Sequence, residues 1–339
     1  MTGHSDLNFP VLIGDIGGTN ARFQIIKEKG STPINFDSVR TNDFHNIDKA
    51  LTDFVLKKSA VTPRSSILAA AGPITENGLN LTNCHWDLVP DQILSIGPIE
   101  QLILMNDFEA QALALPCLTS QDGVLLGGNS KTSSDEHTKA VLGPGTGLGV
   151  GILVWAGGKW IPVPGEGGHV DLGPRSERES AIWKNLVPLD GRISAEQAVS
   201  GAGLENLYRA CCLTDSVVPA ADNAAAISTR AMATEDDQAV DALSLFCTTL
   251  GRIAGDLALT SMSTGGVYIG GGIAQKILPF LKASQFRAAF EDKAPHSELM
   301  REIATIVVTH PVPALLGLAA YANAPDRYLL DIAHRHWLK

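Results

Sequence analysis

The stretch VLIGDIGGTNARFQ, residues 11 to 24, decides how this chain is read. An apolar run predicts a strand over residues 9 to 13, and a second strand resumes at Ala21 and runs to Ile26. Between them lies a glycine turn carrying an acid and a hydroxyl. Gly17 and Gly18 have no Cβ, so backbone N–H groups there can approach an anion closely. Gly14 and Ile16 flank the acid. Thr19 adds a hydroxyl, and Asp15 adds a carboxylate able to hold a hydrated Mg²⁺. The combination suits a polyphosphate. The same glycines would also serve an ordinary β-hairpin turn, so this stretch alone leaves both readings open.

The plan recurs. KAVLGPGTGLGVGILVW, residues 139 to 155, is again strand, Gly/Thr turn and strand, with Gly143, Gly145, Thr146, Gly147 and Gly149 in the turn. A third cluster, GGVYIGGG at 265 to 272, closes a short apolar strand just before a predicted helix. Three such turns in one chain are hard to credit to chance, and they favour the phosphate reading.

Composition sets the outer bounds. At 339 residues the chain exceeds the size at which single cores usually divide, so two domains are expected. Of its residues, 45% are apolar and 18% charged, and the net charge is −10. That acidity, without a basic run, argues against a nucleic-acid or anionic-membrane surface. An acidic chain that handles a nucleotide must rely on local backbone donors and Mg²⁺. The polar opening MTGHSDLNFP lacks the apolar core of a signal peptide. No uninterrupted apolar run reaches the ~18 residues of a membrane span. Five cysteines, Cys84, Cys117, Cys211, Cys212 and Cys247, are scattered without a CxxC pair, which fits reduced thiols in the cytoplasm.

Along the chain, Asn42-Asp43 is expected to cap a helix whose Ile47, Leu51, Phe54 and Val55 form one apolar face. Residues 66 to 71 and 101 to 105 are apolar strands, and Asn106-Asp107 ends the second before a helix near Phe108. A carboxylate at a strand end sits where α/β sheets take ligands, although the same residue could simply cap the helix. A polar, Gly/Ser-rich loop spans 119 to 137 around a strand at 124 to 126. Pro164 to His169 is too rich in glycine for a regular strand and exposes Glu166 and His169. Ser194-Ala-Glu196-Gln197 has the spacing of a capping box, which predicts a helix start there, with Glu196 favouring the helix dipole. Residues 236 to 261 read as a long core helix in which Gly251 and Gly255 allow close packing. A buried strand follows at 267 to 269, then a helix over 274 to 282, a last strand over 303 to 308 and a helix over 313 to 322.

In order, these segments resemble a known set. GDIGGTNAR looks like the first phosphate loop of the sugar kinase, chaperone and actin superfamily, GPGTGLGVG like the second, and GGVYIGGGIA like its adenosine segment. LMNDF at 104 to 108, PGEGGHVD at 164 to 171, SAEQAVSGAGLENLYRA at 194 to 210, FRAAFEDK at 286 to 293 and ALLGLAAY at 314 to 321 narrow the resemblance to the ATP-dependent, non-ROK bacterial glucokinases. It runs from about residue 11 to about 321.

The resemblance implies an α/β, two-domain ribonuclease H-like fold of the actin/hexokinase type, with the active site in the interdomain cleft. It implies a small domain of residues 1–115 plus 312–339 and a large one of 116–311. ATP would be held by Gly14, Asp15, Ile16, Gly17, Gly18, Thr19, Gly145, Thr146, Gly147 and Gly271, with Mg²⁺ on Asp15 through water. Glucose would be read by Asn106, Asp107, Glu166, His169 and Glu196, with Asp107 as general base. Asn83, in the stretch GPITENGLNLTNCHWDL, is a further sugar contact by resemblance, whereas His85 and Trp86 could line a sugar pocket but read better as a packed turn. Glu166 and His169 also invite a metal reading, but VDLGPRSERES follows without the cysteines that complete the zinc site of ROK kinases. The expected product is glucose 6-phosphate, the expected assembly a homodimer. The competing readings are a kinase for another hexose, a sugar sensor on the same fold without turnover, and a chaperone-like ATPase.

Overall fold

The computed structural model describes residues 7–81, 84–129 and 136–339. Asn83 lies outside the described residues. The chain divides into two compact units: one runs to Leu118 and takes in residues 153–164 and 311–339, and the other comprises 119–152 and 165–310.

In the first unit, β1 (Val11–Ile16) and β2 (Asn20–Ile26) form a hairpin whose first strand runs past the expected 9 to 13, because Gly14, Asp15 and Ile16 are paired in the ladder, with Asp15 opposite Arg22 and Ile16 opposite Ala21. The short β3 (Ile34–Asn35) extends it. On the other side, β4 (Ser65–Ala70) and β5 (Gln101–Asn106) run parallel to β1. The order is therefore β3-β2-β1-β4-β5. Every residue of β4 is buried, as expected for a central parallel strand covered on both faces. Helix α1 (Asp107–Ala114) follows β5 without a spacer.

The helical stripe of Ile47, Leu51 and Val55 is buried as expected, but its cap is Asn46, whose side chain accepts from Lys49 N at 3.0 Å. Asn42 and Asp43 instead lie in a 3₁₀ turn, because Thr41 is tied back to Thr19 and Gly18 and holds that segment outside the helix. Trp86 is fully buried and its Nε1 donates to Phe44 O at 3.1 Å, so this segment is the packed turn.

A second sheet repeats the plan. It contains β6 (Gly123–Gly127), β7 (Lys139–Pro144), β8 (Leu148–Ala156) and β9 (Lys159–Gly165), followed by two strands later in the chain, and the part of β8 and β9 within residues 153–164 groups with the first unit. Helix α2 (Gly201–Asp215) starts six residues later than the capping-box spacing predicts. The reason is tertiary: Ser194 bridges Asp171, and the Ala195 and Glu196 N–H groups are spent on Val170 O and Gly168 O. Ser200 is the cap, accepting from Gly203 N at 2.9 Å.

Helix α3 (Asp237–Ser261) is capped by Asp236, and a Cβ at Gly251 or Gly255 would run into the backbone of Phe286 or Phe290. It is the one helix among the described residues long and apolar enough to cross a membrane, and most of that stretch is buried in the core. Strand β10 (Val267–Ile269), the short helix α4 (Gly272–Lys276) and β11 (Thr305–Val308) complete the unit. Both strands run parallel to β7 in the order β7-β10-β11. The whole order β9-β8-β7-β10-β11 matches β3-β2-β1-β4-β5, with β6 added at the edge.

The C-terminal segment returns to the first unit. Helix α5 (Pro313–Asn323) packs on α1 so closely that a Cβ at Gly317 would strike the Ala110 carbonyl. Strand β12 (His336–Leu338) pairs antiparallel with β5, and Arg335, just before it, makes a bidentate ion pair with Glu109 in the first turns of α1.

Candidate active site

In the first unit, two candidate features share one end of the sheet. The registers Ile16↔Ala70 and Ala70↔Asn106 place the β1–β2 turn and the start of α1 at the carboxyl ends of parallel strands. With strands ~4.8 Å apart, Ile16 and Asn106 stand roughly 10 Å apart across β4. The turn is closed by Gly17 N donating to Asn20 O at 2.9 Å and is braced by Thr41, whose N donates to Thr19 O and whose Oγ1 donates to Gly18 O. Gly17, Gly18 and Thr19 are exposed, so the turn presents its backbone outward. Gly14 and Ile16 are buried in the strand and have only backbone to offer a phosphate; a Cβ on Gly14 would meet Leu68 and Phe23.

Asp15 faces Arg22, with Oδ2 3.5 Å from Nη1. Burial pushes the Asp15 carboxyl up, and the Arg22 charge and hydrogen bond work against that rise. A single half-buried carboxylate beside a turn of exposed backbone fits Mg²⁺, which keeps most of its waters and takes one or two carboxylates plus substrate phosphates. Among the described residues no three His, Cys, Asp or Glu side chains gather into a metal cluster, so the pattern does not fit a metal held by protein ligands alone.

Asn106 is the cap of α1: its Oδ1 accepts from Phe108 N at 2.9 Å and Glu109 N at 3.3 Å. No acceptor among the described residues takes its Nδ2 donors, which leaves them for a ligand. Asp107 is the first residue of α1, half-buried, with Oδ1 accepting from Phe108 N at 3.0 Å. The capping role therefore falls to Asn106.

In the second unit, the β7–β8 turn is closed by Gly145 N donating to Gly147 O at 2.8 Å. The N-terminus of α2 backs it, with Gly201 N donating to Gly145 O at 2.9 Å. Thr146 is exposed at its tip. Gly271 has φ +79° and lies where a Cβ would overlap the Pro144 carbonyl, so both backbone conformation and close approach require glycine there.

Glu196 lies beside this turn: its Oε2 accepts from Leu148 N at 2.8 Å, and its own N donates to Gly168 O at 2.8 Å. That second bond ties it to the 3₁₀ turn Gly167–His169, preceded by Glu166. His169 N donates to Glu166 O at 3.0 Å, and the two side chains, both exposed, lie 3.9 Å apart. The second unit therefore brings Glu166, His169, Glu196 and the β7–β8 turn into one neighbourhood.

Three contacts were not anticipated. The Asp15–Arg22 pair had a signal, since the two residues are placed symmetrically about the turn. The Glu196–Leu148 bond and the Glu109–Arg335 pair had none, because each joins residues far apart in sequence, 48 and 226 positions respectively.

Known proteins bear on this geometry. A sequence model of the glucokinase family matches residues 12–325. A glucokinase from Rhizobium johnstonii is 51% identical over 331 residues, covering 98% of this chain and 96% of its own. Among solved structures, a glucokinase from an Antarctic psychrotroph superposes with a TM-score of 0.80 at 31% identity, covering 92% of this chain and 98% of that one. A glucokinase from Balamuthia mandrillaris in complex with glucose shares the fold, with a TM-score of 0.74 at 24% identity and coverage of 92% and 93%.

Proposed function

The chain belongs to the glucokinase family, and on that premise we propose that it transfers the γ-phosphoryl group of ATP directly to the 6-hydroxyl of D-glucose, with Asp107 as general base. The observation that carries the reading is the placement of Asp107: it opens α1 at the carboxyl ends of β1, β4 and β5, the edge that also bears the Gly17–Thr19 turn. Such an edge is where open α/β sheets take ligands.

Phosphoryl transfer asks a protein mostly for position and charge neutralisation. Asp107 takes the O6 proton as O6 attacks the γ-phosphorus in line, and the bond to the bridging oxygen breaks to leave ADP. The Gly17 and Gly145 N–H groups close their own turns, so the backbone N–H groups of Gly18 and Thr19 and of Thr146 and Gly147 donate to the phosphates, with Gly271 beside the nucleoside. Asp15 would hold Mg²⁺ through water, and the ion would supply neutralisation of phosphate charge.

Sugar recognition falls to Asn106 Nδ2, Glu166, His169 and Glu196. An ionised carboxylate accepts from two neighbouring hydroxyls, so an epimer leaves an acceptor unpaired, a mismatch that discriminates strongly. The product, glucose 6-phosphate, enters glycolysis. The setting is the cytoplasm, in keeping with five free cysteines, and the assembly a homodimer, which light scattering on the purified protein checks.

The test is coupled detection of glucose 6-phosphate with ATP and Mg²⁺, run on the wild type beside Asp107→Ala. Wild-type turnover, with the variant still binding glucose but slowed by a factor on the order of 10² to 10⁴, is the expected result. A wild type that binds glucose and makes no product would turn the reading to a sugar sensor.

A further inference from the structure

The second unit contains a contact that phosphate binding and sugar recognition do not individually require. Glu196 is tied at its backbone on two sides: its N–H donates to Gly168 O at 2.8 Å, and its carbonyl accepts from Ser200 Oγ at 2.8 Å. The side chain then reaches the β7–β8 turn, where Oε2 accepts from Leu148 N–H at 2.8 Å. No donor among the described residues reaches Oε1. Gly147 is the other half of the arrangement, because an ideal Cβ there would overlap Oε2. The absence of a side chain at 147 is what lets the carboxylate lie against the turn.

We propose that Glu196 is a bridge between the two substrates, with Oε2 holding the phosphate turn and Oε1 accepting a sugar hydroxyl, so that Gly147 in the phosphate turn helps set affinity for glucose. The inference rests on the reading of Glu196 as a sugar ligand. The physical argument is one of pre-organisation: a carboxylate already fixed by a backbone donor loses little rotamer freedom when the sugar arrives. Without the Leu148 bond, the same side chain must be ordered by the sugar alone. The coupling is reciprocal, as any linkage between binding free energies must be: a bound sugar hydroxyl fixes the carboxylate, and the carboxylate fixes the turn that receives the phosphates.

Gly147→Ala isolates the effect. Gly147 does not have a positive φ, and the atom its Cβ would meet is the mobile end of a side chain, so the turn accommodates alanine by expelling the carboxylate. The measurement is the glucose Kd by calorimetry, without nucleotide, for the wild type, Gly147→Ala, Glu196→Ala and the double variant. Glu196→Ala is expected to weaken glucose about tenfold or more, as befits a lost hydrogen bond to a charged group. Gly147→Ala should weaken it about five- to tenfold, and the double variant should match Glu196→Ala within about twofold, since neighbours acting through one contact are not additive.

If Glu196→Ala weakens glucose and Gly147→Ala does not, the bridge is overturned while Glu196 remains a sugar ligand. Multiplicative effects in the double variant overturn it too, because Gly147 would then act by another route. If Glu196→Ala binds glucose as the wild type does, the sugar-ligand reading fails and takes the bridge with it. The Leu148 amide resonance gives a second readout that needs no change at residue 147. Glucose alone should shift it in the wild type and leave it unmoved in Glu196→Ala; a wild-type resonance that glucose does not move overturns the proposal.

Discussion

Replacing Arg335 by methionine removes the countercharge of Glu109, a carboxylate with none of its side chain exposed. The guanidinium meets it bidentately, with Nη2 2.7 Å from Oε1 and Nη1 on Oε2, and its Nε donates to Asp331 O at 2.6 Å. Arg335 itself is only 14% exposed, so solvent screens the pair weakly. Removing one partner of a buried pair costs about 3 to 5 kcal/mol, mostly from the charge left behind. That is roughly two to three and a half decades in the folding equilibrium.

Substituting both partners, as Glu109→Leu with Arg335→Met, removes the stranded charge, and the expected cost falls near zero. The assay is urea unfolding followed by tryptophan fluorescence. Trp86, Trp155, Trp160 and Trp337 belong to the first unit and only Trp183 to the second, so the signal reports chiefly on the unit that holds the pair. A single variant that loses less than about 1 kcal/mol, the range of a solvated surface pair, would refute the reasoning. So would a double variant no more stable than the single.

Two further outcomes follow from burial at other positions. Because burial raises the Asp15 carboxyl despite Arg22, its ionised form is less favourable folded than unfolded; Asp15→Asn is expected to raise Tm at neutral pH while abolishing most Mg²⁺-dependent turnover, and a lowered Tm in scanning calorimetry would contradict this. His336 on β12 has a buried Nε2 without a hydrogen-bond partner among the described residues, and burial lowers its pKa below the usual 6.5. The unfolded chain then binds the extra proton first, so its stabilising contribution is present above pH ~6.5 and fades as pH falls toward the lowered folded value. Urea midpoints measured from pH 7.5 to 5 should fall less steeply in His336→Leu than in the wild type, and identical slopes would show that His336 does not titrate as described.

The elements that were legible in the sequence are those whose signals are local. Gly17, Gly18, Gly145 and Gly147 announced two turns because a missing Cβ acts on its own backbone, and both turns form where expected. The stripe of Ile47, Leu51 and Val55 and the long helix ending at Ser261 were legible because helical periodicity is written within a few turns. The strand end at Asn106-Asp107 was legible for the same reason, and the two readings of that pair are now divided between its members: Asn106 caps, and Asp107 opens the helix.

Tertiary contacts decided the rest. Ser194 carried a good local cap signal, and its segment was drawn instead into pairing with Asp171 and the turn at Gly168, which moved the helix start to Gly201. The sequence predicts a last strand over 303 to 308, yet residues 336–338 add another on β5. Three residues at the end of a chain carry too little pattern to predict an edge strand, and its partner lies more than 200 residues away. Nothing local in the sequence marks Glu109 and Arg335 as a pair, and the spacing around Ser194 gives Glu196 the dipole of a helix that does not start there. Burial, hydrogen-bond pairing and charge compensation depend on what the folded chain brings alongside, so these roles became visible only once strands and helices distant in sequence were packed together.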